Sequence, residues 1–214
     1  MSTFKKLHRF TSLPILMDIL ERSSITLISP AHWTDRNDSQ PLLQYERSLN
    51  KKENNKRLFA LCFTHKNETI HHWENYASQM GGCCISFSYE NLEKKLNTIK
   101  GIAHGPIKYV SIPNLKSSIT SKKEIPFIKR LPYAVEGEYR VVWTGATTAS
   151  ALEIPIDIAW IRRITFSQKM PRSIFESVKK SLIQSYPILK GRIYYSTVYH
   201  NQQWIESLEQ KINS

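Results

Sequence analysis

Two acids and a base crowd together in Val135-Glu136-Gly137-Glu138-Tyr139-Arg140-Val141-Val142-Trp143. The stretch is rich in β-branched and aromatic residues, which predicts a strand over 135–143. Strand side chains alternate between two faces. One face then carries Glu136, Glu138, Arg140 and Val142. The other carries Val135, Tyr139, Val141 and Trp143, with Gly137 leaving room for a ligand or another backbone. Two carboxylates at i and i+2 repel and disfavour joint ionisation, an arrangement suited to acid–base or charge-stabilising chemistry. The structural alternative is a solvated strand face with an ordinary Glu138–Arg140 pair.

Other signatures are missing. Neither GxxxxGK[ST] nor GxGxxG occurs, and no GxSxG elbow. His71-His72 lacks HExxH spacing, and neighbouring helical residues do not face the same way. Cys62, Cys83 and Cys84 form an odd set inside apolar runs. They read as buried reduced thiols of a cytoplasmic protein rather than nucleophiles. His32, Asp35 and Asp38 lie in a loop-like stretch, 29–38, and have the chemistry of metal ligands.

A scaffold has to position these groups. The chain has 214 residues, 41% hydrophobic and 11% aromatic, enough for one domain over 1–214 with a full core. No run approaches ~18 apolar residues, so no membrane span is expected. The first ten residues lack the apolar core of a signal peptide. The net charge of +12 favours anionic partners such as nucleic acid or nucleotides. The excess gathers between Lys94 and Arg130, where Glu124 is the single acid.

In chain order, 7–10 reads as a strand. Ser12 and Pro14 open a helix with the stripe Leu13, Leu16, Met17, Leu20. Residues 25–28 form a strand, 45–50 are helix-like, and 51–57 are a solvated polar run. Residues 58–63 read as a buried strand. A helix capped by Asn67 carries Ile70, Trp73, Ala77 and Met80 and stops at Gly81-Gly82. Strand 83–88 and helix 89–96 follow, then strand 107–112 and a polar loop over 114–124. Strands at 153–156, 162–167 and 192–199 enclose a helix from Pro171. A last helix from Asn201 turns Trp204, Ile205, Leu208 and Ile212 inward. Strands and helices mix without βαβ regularity, which predicts an α+β fold of mixed or antiparallel sheets flanked by helices.

Several blocks, in order, resemble a large prokaryotic domain-of-unknown-function family. They are Leu7-His8-Arg9-Phe10, Cys62-Phe63-Thr64, Trp73-Glu74-Asn75-Tyr76-Ala77 before Gly82, and Glu136-Gly137-Glu138-Tyr139-Arg140. His8 stands where that family has Tyr, and Thr64 where it has Ser. The layout of that family resembles ADP-ribosyltransferases, which implies NAD as substrate and no metal. The resemblance implies Glu138 as the carboxylate that stabilises an oxocarbenium-like centre, with Glu136 orienting or deprotonating the acceptor. It implies His8 or Arg9, Thr64 and Arg140 as NAD-binding groups, with Trp73 or Tyr76 stacking on nicotinamide. It further implies a bacterial toxin or anti-phage defence effector acting on nucleic acid or a nucleic-acid-bound protein. Two other readings stay open. One is a metal-dependent nuclease using Glu136, Glu138 and Asp35 or Asp38. The other is a basic nucleic-acid-binding module without catalysis. The transferase reading requires Arg9 or His8, Thr64 and Glu138 to border one pocket. The nuclease reading requires Glu136, Glu138 and an Asp to surround one point.

Overall fold

The computed structural model describes residues 5–50 and 55–212. Residues 1–4 of the N-terminal stretch and 51–54 of the polar run lie outside the described residues. The strands are β1 (Lys6–Ser12), β2 (Ser24–Ile28), β3 (Lys56–Thr64), β4 (Gly82–Ser88), β5 (Ile102–Pro106), β6 (Lys108–Val110), β7 (Ile128–Arg130), β8 (Glu138–Ala146), β9 (Ala151–Pro155), β10 (Ile161–Phe166) and β11 (Ile193–Tyr195). The helices are α1 (Leu13–Arg22), α2 (Arg36–Leu49), α3 (Ile70–Tyr76), α4 (Tyr89–Asn97), α5 (Leu115–Ser118), α6 (Arg172–Ser185) and α7 (Gln202–Ile212). The class is α+β, with antiparallel pairing dominant.

One sheet runs β11-β10-β4-β1-β3-β2-β9, and β8 joins it against β3 with β5 outside β8. β10 and β11 pair in parallel, and every other contact in this sheet is antiparallel. β6 and β7 form a small parallel pair of their own.

β3 and β8 are buried on both faces, and period-two alternation sorts their residues into two cores. Phe59, Leu61, Phe63, Tyr139 and Val141 enter the main core with Leu16, Ile85 and Phe87. Leu58, Ala60 and Val142 meet Leu42 of α2 on the opposite face, flanked by Trp33 and Phe127. Burying a side chain the size of Phe59 contributes about 1.5–3 kcal/mol. The register sets Thr64 opposite Glu138, Cys62 opposite Arg140 and Ala60 opposite Val142. Glu138 and Arg140 therefore stand on the α2 face.

Several local expectations are corrected. The predicted strand at 135–143 begins only at Glu138, because Leu131–Glu136 is a 3-10 turn. Pro132 at its start fixes a helical φ, and Gly137 ends it at φ +52. Residues 36–38 are helix, not loop, because Asp35 accepts the Asn37 N–H and caps α2. α3 is capped by Thr69 rather than Asn67 and ends at Tyr76, before Met80. In α1 the inward residues are Leu16, Ile19 and Leu20, while Met17 faces out. In the expected inward stripe of α7 only Ile205 is half-buried and the rest is exposed: Trp204 is 67% and Ile212 80% accessible. Amphipathicity records an apolar face, but nothing in the periodicity supplies a surface to cover it.

Candidate active site

The site arises from the way β3 uses its edges. One edge pairs with β8 from Lys56↔Ala146 to Thr64↔Glu138. The other meets β1 at His8↔Thr64 and β2 at Ile28↔Ala60. Between these two points β1 and β2 splay apart, with α1 connecting them. The opening is a cleft of about 700 Å³, a size suited to a small ligand. His8, Arg9 and Phe10 line one wall, and Thr64, Glu136 and Glu138 line another.

At the floor three carboxylates converge on one ammonium. Lys129 Nζ lies 2.7 Å from Glu136 Oε2, 3.3 Å from Glu138 Oε2 and 3.3 Å from Asp38 Oδ2. Arg140 lies alongside. Its Nε donates to Glu138 Oε1 at 2.5 Å, and its Nη2 donates to both Asp38 oxygens at 2.7 and 2.8 Å. Its Nη1 donates to the Pro126 carbonyl at 3.1 Å. Three acidic side chains thus face two basic ones at the floor. Burial works to raise the Glu138 carboxyl, but Arg140, Lys129 and the Cys62 thiol outweigh it and hold the group below its usual range. Glu138 is therefore ionised at neutral pH. Its backbone N–H donates to the Tyr109 hydroxyl at 2.7 Å.

Glu136 arrives from the 3-10 turn, and four side chains hold that turn. The Thr64 hydroxyl is 2.6 Å from the Glu136 carbonyl and 3.1 Å from that of Gly137. His72 Nε2 is hydrogen-bonded to the Glu136 carbonyl at 2.9 Å, and its Nδ1 meets the Thr69 hydroxyl at 2.8 Å. The Tyr76 hydroxyl donates to Glu136 Oε1 at 2.6 Å. Lys66 Nζ donates to the carbonyls of Ala134 and Val135. Gly137 closes the turn, and a Cβ there would lie 2.6 Å from Lys66 Cγ. Gly137→Ala is expected to lower stability by about 1–2 kcal/mol, since an L-residue is strained in the left-handed region and Lys66 must shift. Urea unfolding checks this, and an unchanged midpoint would contradict the described turn.

On the β1 wall, His8 Nδ1 is hydrogen-bonded to the Ser86 hydroxyl at 2.7 Å. Burial first, then Lys6, His72 and Arg163, bring its pKa down to about 4, so the imidazole is neutral at pH 7. Arg9 is still a cation, with burial lowering its pKa to about 10. Its Nε is enclosed and has no hydrogen-bond partner among the described residues. A buried donor without a partner is costly, and the remainder of the Arg9 side chain lines the cleft, where its positive charge faces any anionic ligand.

The expected site residues fall into two groups. His8, Arg9, Thr64, Tyr76, Glu136 and Glu138 line the one cleft. The Thr64 hydroxyl is engaged in the turn, and the Tyr76 hydroxyl is anchored on Glu136. Trp73 and Arg140 do not offer themselves to a ligand. Trp73 is 1% exposed among Ala77, Cys84 and Phe10, because its position on α3 faces the sheet. Arg140 is fully enclosed beneath the cleft, where it clamps Glu138 and Asp38. For the nuclease reading, Glu136, Glu138 and Asp38 do surround one point, but Lys129 Nζ occupies it. Among the described residues no group of three acidic, His or Cys side chains is arranged to hold a metal ion. Asp35 caps α2 instead. Sequence reasoning missed Lys129, His72, Ser86 and Tyr109. Lys129 was hidden in a basic run, and no spacing rule links it to acids that reach it around a turn.

No family model matches the chain, and no curated protein matches it. Among solved structures it is similar to Thermus sp. 2.9 DarT in complex with ADP-ribosylated ssDNA. The identity there is 11%, the TM-score 0.48, and the match covers 94% of this chain and 98% of that one. It is also similar to Thermus sp. 2.9 DarT in complex with carba-NAD+, at 10% identity and a TM-score of 0.45, covering 92% and 98%.

Proposed function

We propose that this chain is an ADP-ribosyltransferase-like enzyme that uses NAD as substrate. The observation that carries the reading is the placement of Arg9 and Glu138 on one cleft, opened where β1 and β2 splay apart along β3. The charge pattern suits the substrate. The Arg9 cation on the cleft wall matches a pyrophosphate, and the acid-rich floor matches a cationic nicotinamide and the positive charge that develops at the ribose carbon. Neutral His8 adds a hydrogen-bonding group on the same wall. Glu138, ionised and clamped by Arg140, is pre-organised to hold a ribose hydroxyl and stabilise that charge. Glu136, held by Tyr76 and Lys129 rather than by Arg140, serves the acceptor.

The acceptor in this reading is nucleic acid or a nucleic-acid-bound protein, in keeping with the +12 net charge. A toxin or phage-defence role follows from the family resemblance of the Glu136–Arg140 block. All three cysteines are free thiols, which suits a reducing, cytoplasmic setting. Among the described residues no helix is long and apolar enough to cross a membrane.

The test is nicotinamide release from NAD by the purified protein, with and without single-stranded nucleic acid. Release is expected, and none under any acceptor would remove the proposal. Glu136→Gln is expected to lower transfer to the acceptor roughly tenfold or more while NAD hydrolysis changes less, because its role is on the acceptor side. Equal losses in both reactions would remove that assignment.

A further inference from the structure

We propose that Lys129 is a positioning residue, a built-in cation that gathers Glu136, Glu138 and Asp38 and keeps Glu136 available as the acceptor-side base. The last part rests on the transferase reading.

The geometry is specific. An ammonium has three N–H donors. Here three carboxylates lie within 3.3 Å of Nζ, contributed by α2, the 3-10 turn and β8. The Tyr133 ring covers the ammonium at 4.6 Å. The three acids are not equally dependent on Lys129. Asp38 and Glu138 also pair with Arg140. Glu136 has no other ion-pair partner among the described residues, and its second oxygen receives the Tyr76 hydroxyl. Tyr109, Cys62, His72 and Lys66 are the other titratable groups near the cluster: burial lowers the His72 pKa, so its imidazole is neutral at pH 7, and the Lys66 ammonium is bonded to the Ala134 and Val135 carbonyls rather than to a carboxylate.

Removing the Lys129 charge therefore strands one buried carboxylate beside two others. A carboxylate in that position takes up a proton more readily, by desolvation and like-charge repulsion together. Protonated, Glu136 cannot accept a proton from an acceptor group. Glu138, still held by Arg140, keeps its charge. The consequence is a selective defect, in transfer rather than NAD hydrolysis, that disappears as pH rises. A purely structural lysine would lower both reactions at every pH.

The experiment compares wild type, Lys129→Met and Lys129→Arg. Each is assayed for NAD hydrolysis and for transfer to single-stranded nucleic acid between pH 5 and 9, the range used to separate the acid limbs. In Lys129→Met the acid limb of transfer is expected to move up by about 2 pH units, that of hydrolysis by less than about 0.5. Lys129→Arg keeps the charge, so its limb is expected within about 0.5 unit of wild type, even if the planar group serves three carboxylates less well. A transfer loss in Lys129→Met that is independent of pH overturns the proposal. If Lys129→Met does not fold, Lys129→Arg decides: a limb displaced by about 2 units despite the retained charge overturns it.

Carboxyl-13C NMR of glutamate-labelled protein gives a readout that needs no turnover. A glutamate signal in Lys129→Met that takes up its proton about 2 units above any moved signal in wild type supports the proposal. Superimposable titrations overturn it. A wild type without NAD turnover would remove the transferase reading, while the NMR result would still decide whether Lys129 gathers the carboxylates.

Discussion

Glu138→Gln is expected to reduce nicotinamide release by roughly 100-fold or more while the protein stays folded. The amide keeps the shape of the side chain, and its oxygen can still accept from Arg140 Nε. What it removes is the negative charge facing the cleft. That charge is unusually well fixed, being bonded to Arg140 at 2.5 Å and to Lys129 at 3.3 Å, with its backbone N–H tied to Tyr109. A group held this way needs no reorganisation when positive charge develops at the ribose. This is why so large an effect is assigned to one substitution. Nicotinamide release measured beside circular dichroism separates catalysis from folding. Equal release from wild type and variant would mean that Glu138 is a structural acid, and the transferase proposal would fall with it.

The largest effect on stability is expected at Arg140. Arg140→Met is expected to destabilise the fold by about 3–5 kcal/mol, because it leaves buried carboxylates short of a counter-charge. Asp38 loses both of its guanidinium contacts, Glu138 its closest partner, and the Pro126 carbonyl a donor. For a chain of this length the loss corresponds to a Tm lower by about 6–20 °C. Arg140→Lys should fall between, since an ammonium cannot reproduce the forked contact. The pH dependence follows from the depressed Glu138 carboxyl. Its contribution to stability is fully present above the ordinary glutamate pKa of about 4.3 and is lost as pH falls through the lower folded value. In Arg140→Met that acid-labile contribution should shrink, so the wild-type and variant melting curves should draw together below about pH 4. A variant that melts within about 2 °C of wild type at pH 7 would contradict the buried cluster.

Period-two alternation and local composition were enough to place part of this site. From Glu138 onward, Glu138, Arg140 and Val142 share one face and Tyr139 and Val141 the other, because that rule depends only on neighbouring residues. The apolar run of β3 and the strand at β4 were legible for the same reason. The limit appears two residues earlier. Strand propensity at Val135 is weaker than the effect of Pro132 and Gly137, which bend the backbone into a turn. Glu136 thus reaches Glu138's surroundings by a different route from the one the alternation implied.

The rest was decided by tertiary structure. Asp38 meets Arg140 across 102 residues of sequence, and Lys129 reaches Glu136 from the far side of a turn. Ion pairs at such separations leave no periodic trace. The cleft exists because β3 shares one edge between β1 and β2, and that is a property of strand order. Trp73 shows the same division from the other side. Its helical spacing marked an apolar face, but whether that face met a ligand or the sheet depended on how α3 was laid down. Chemistry of residue type was local and legible; the partner of each charge was set by the fold.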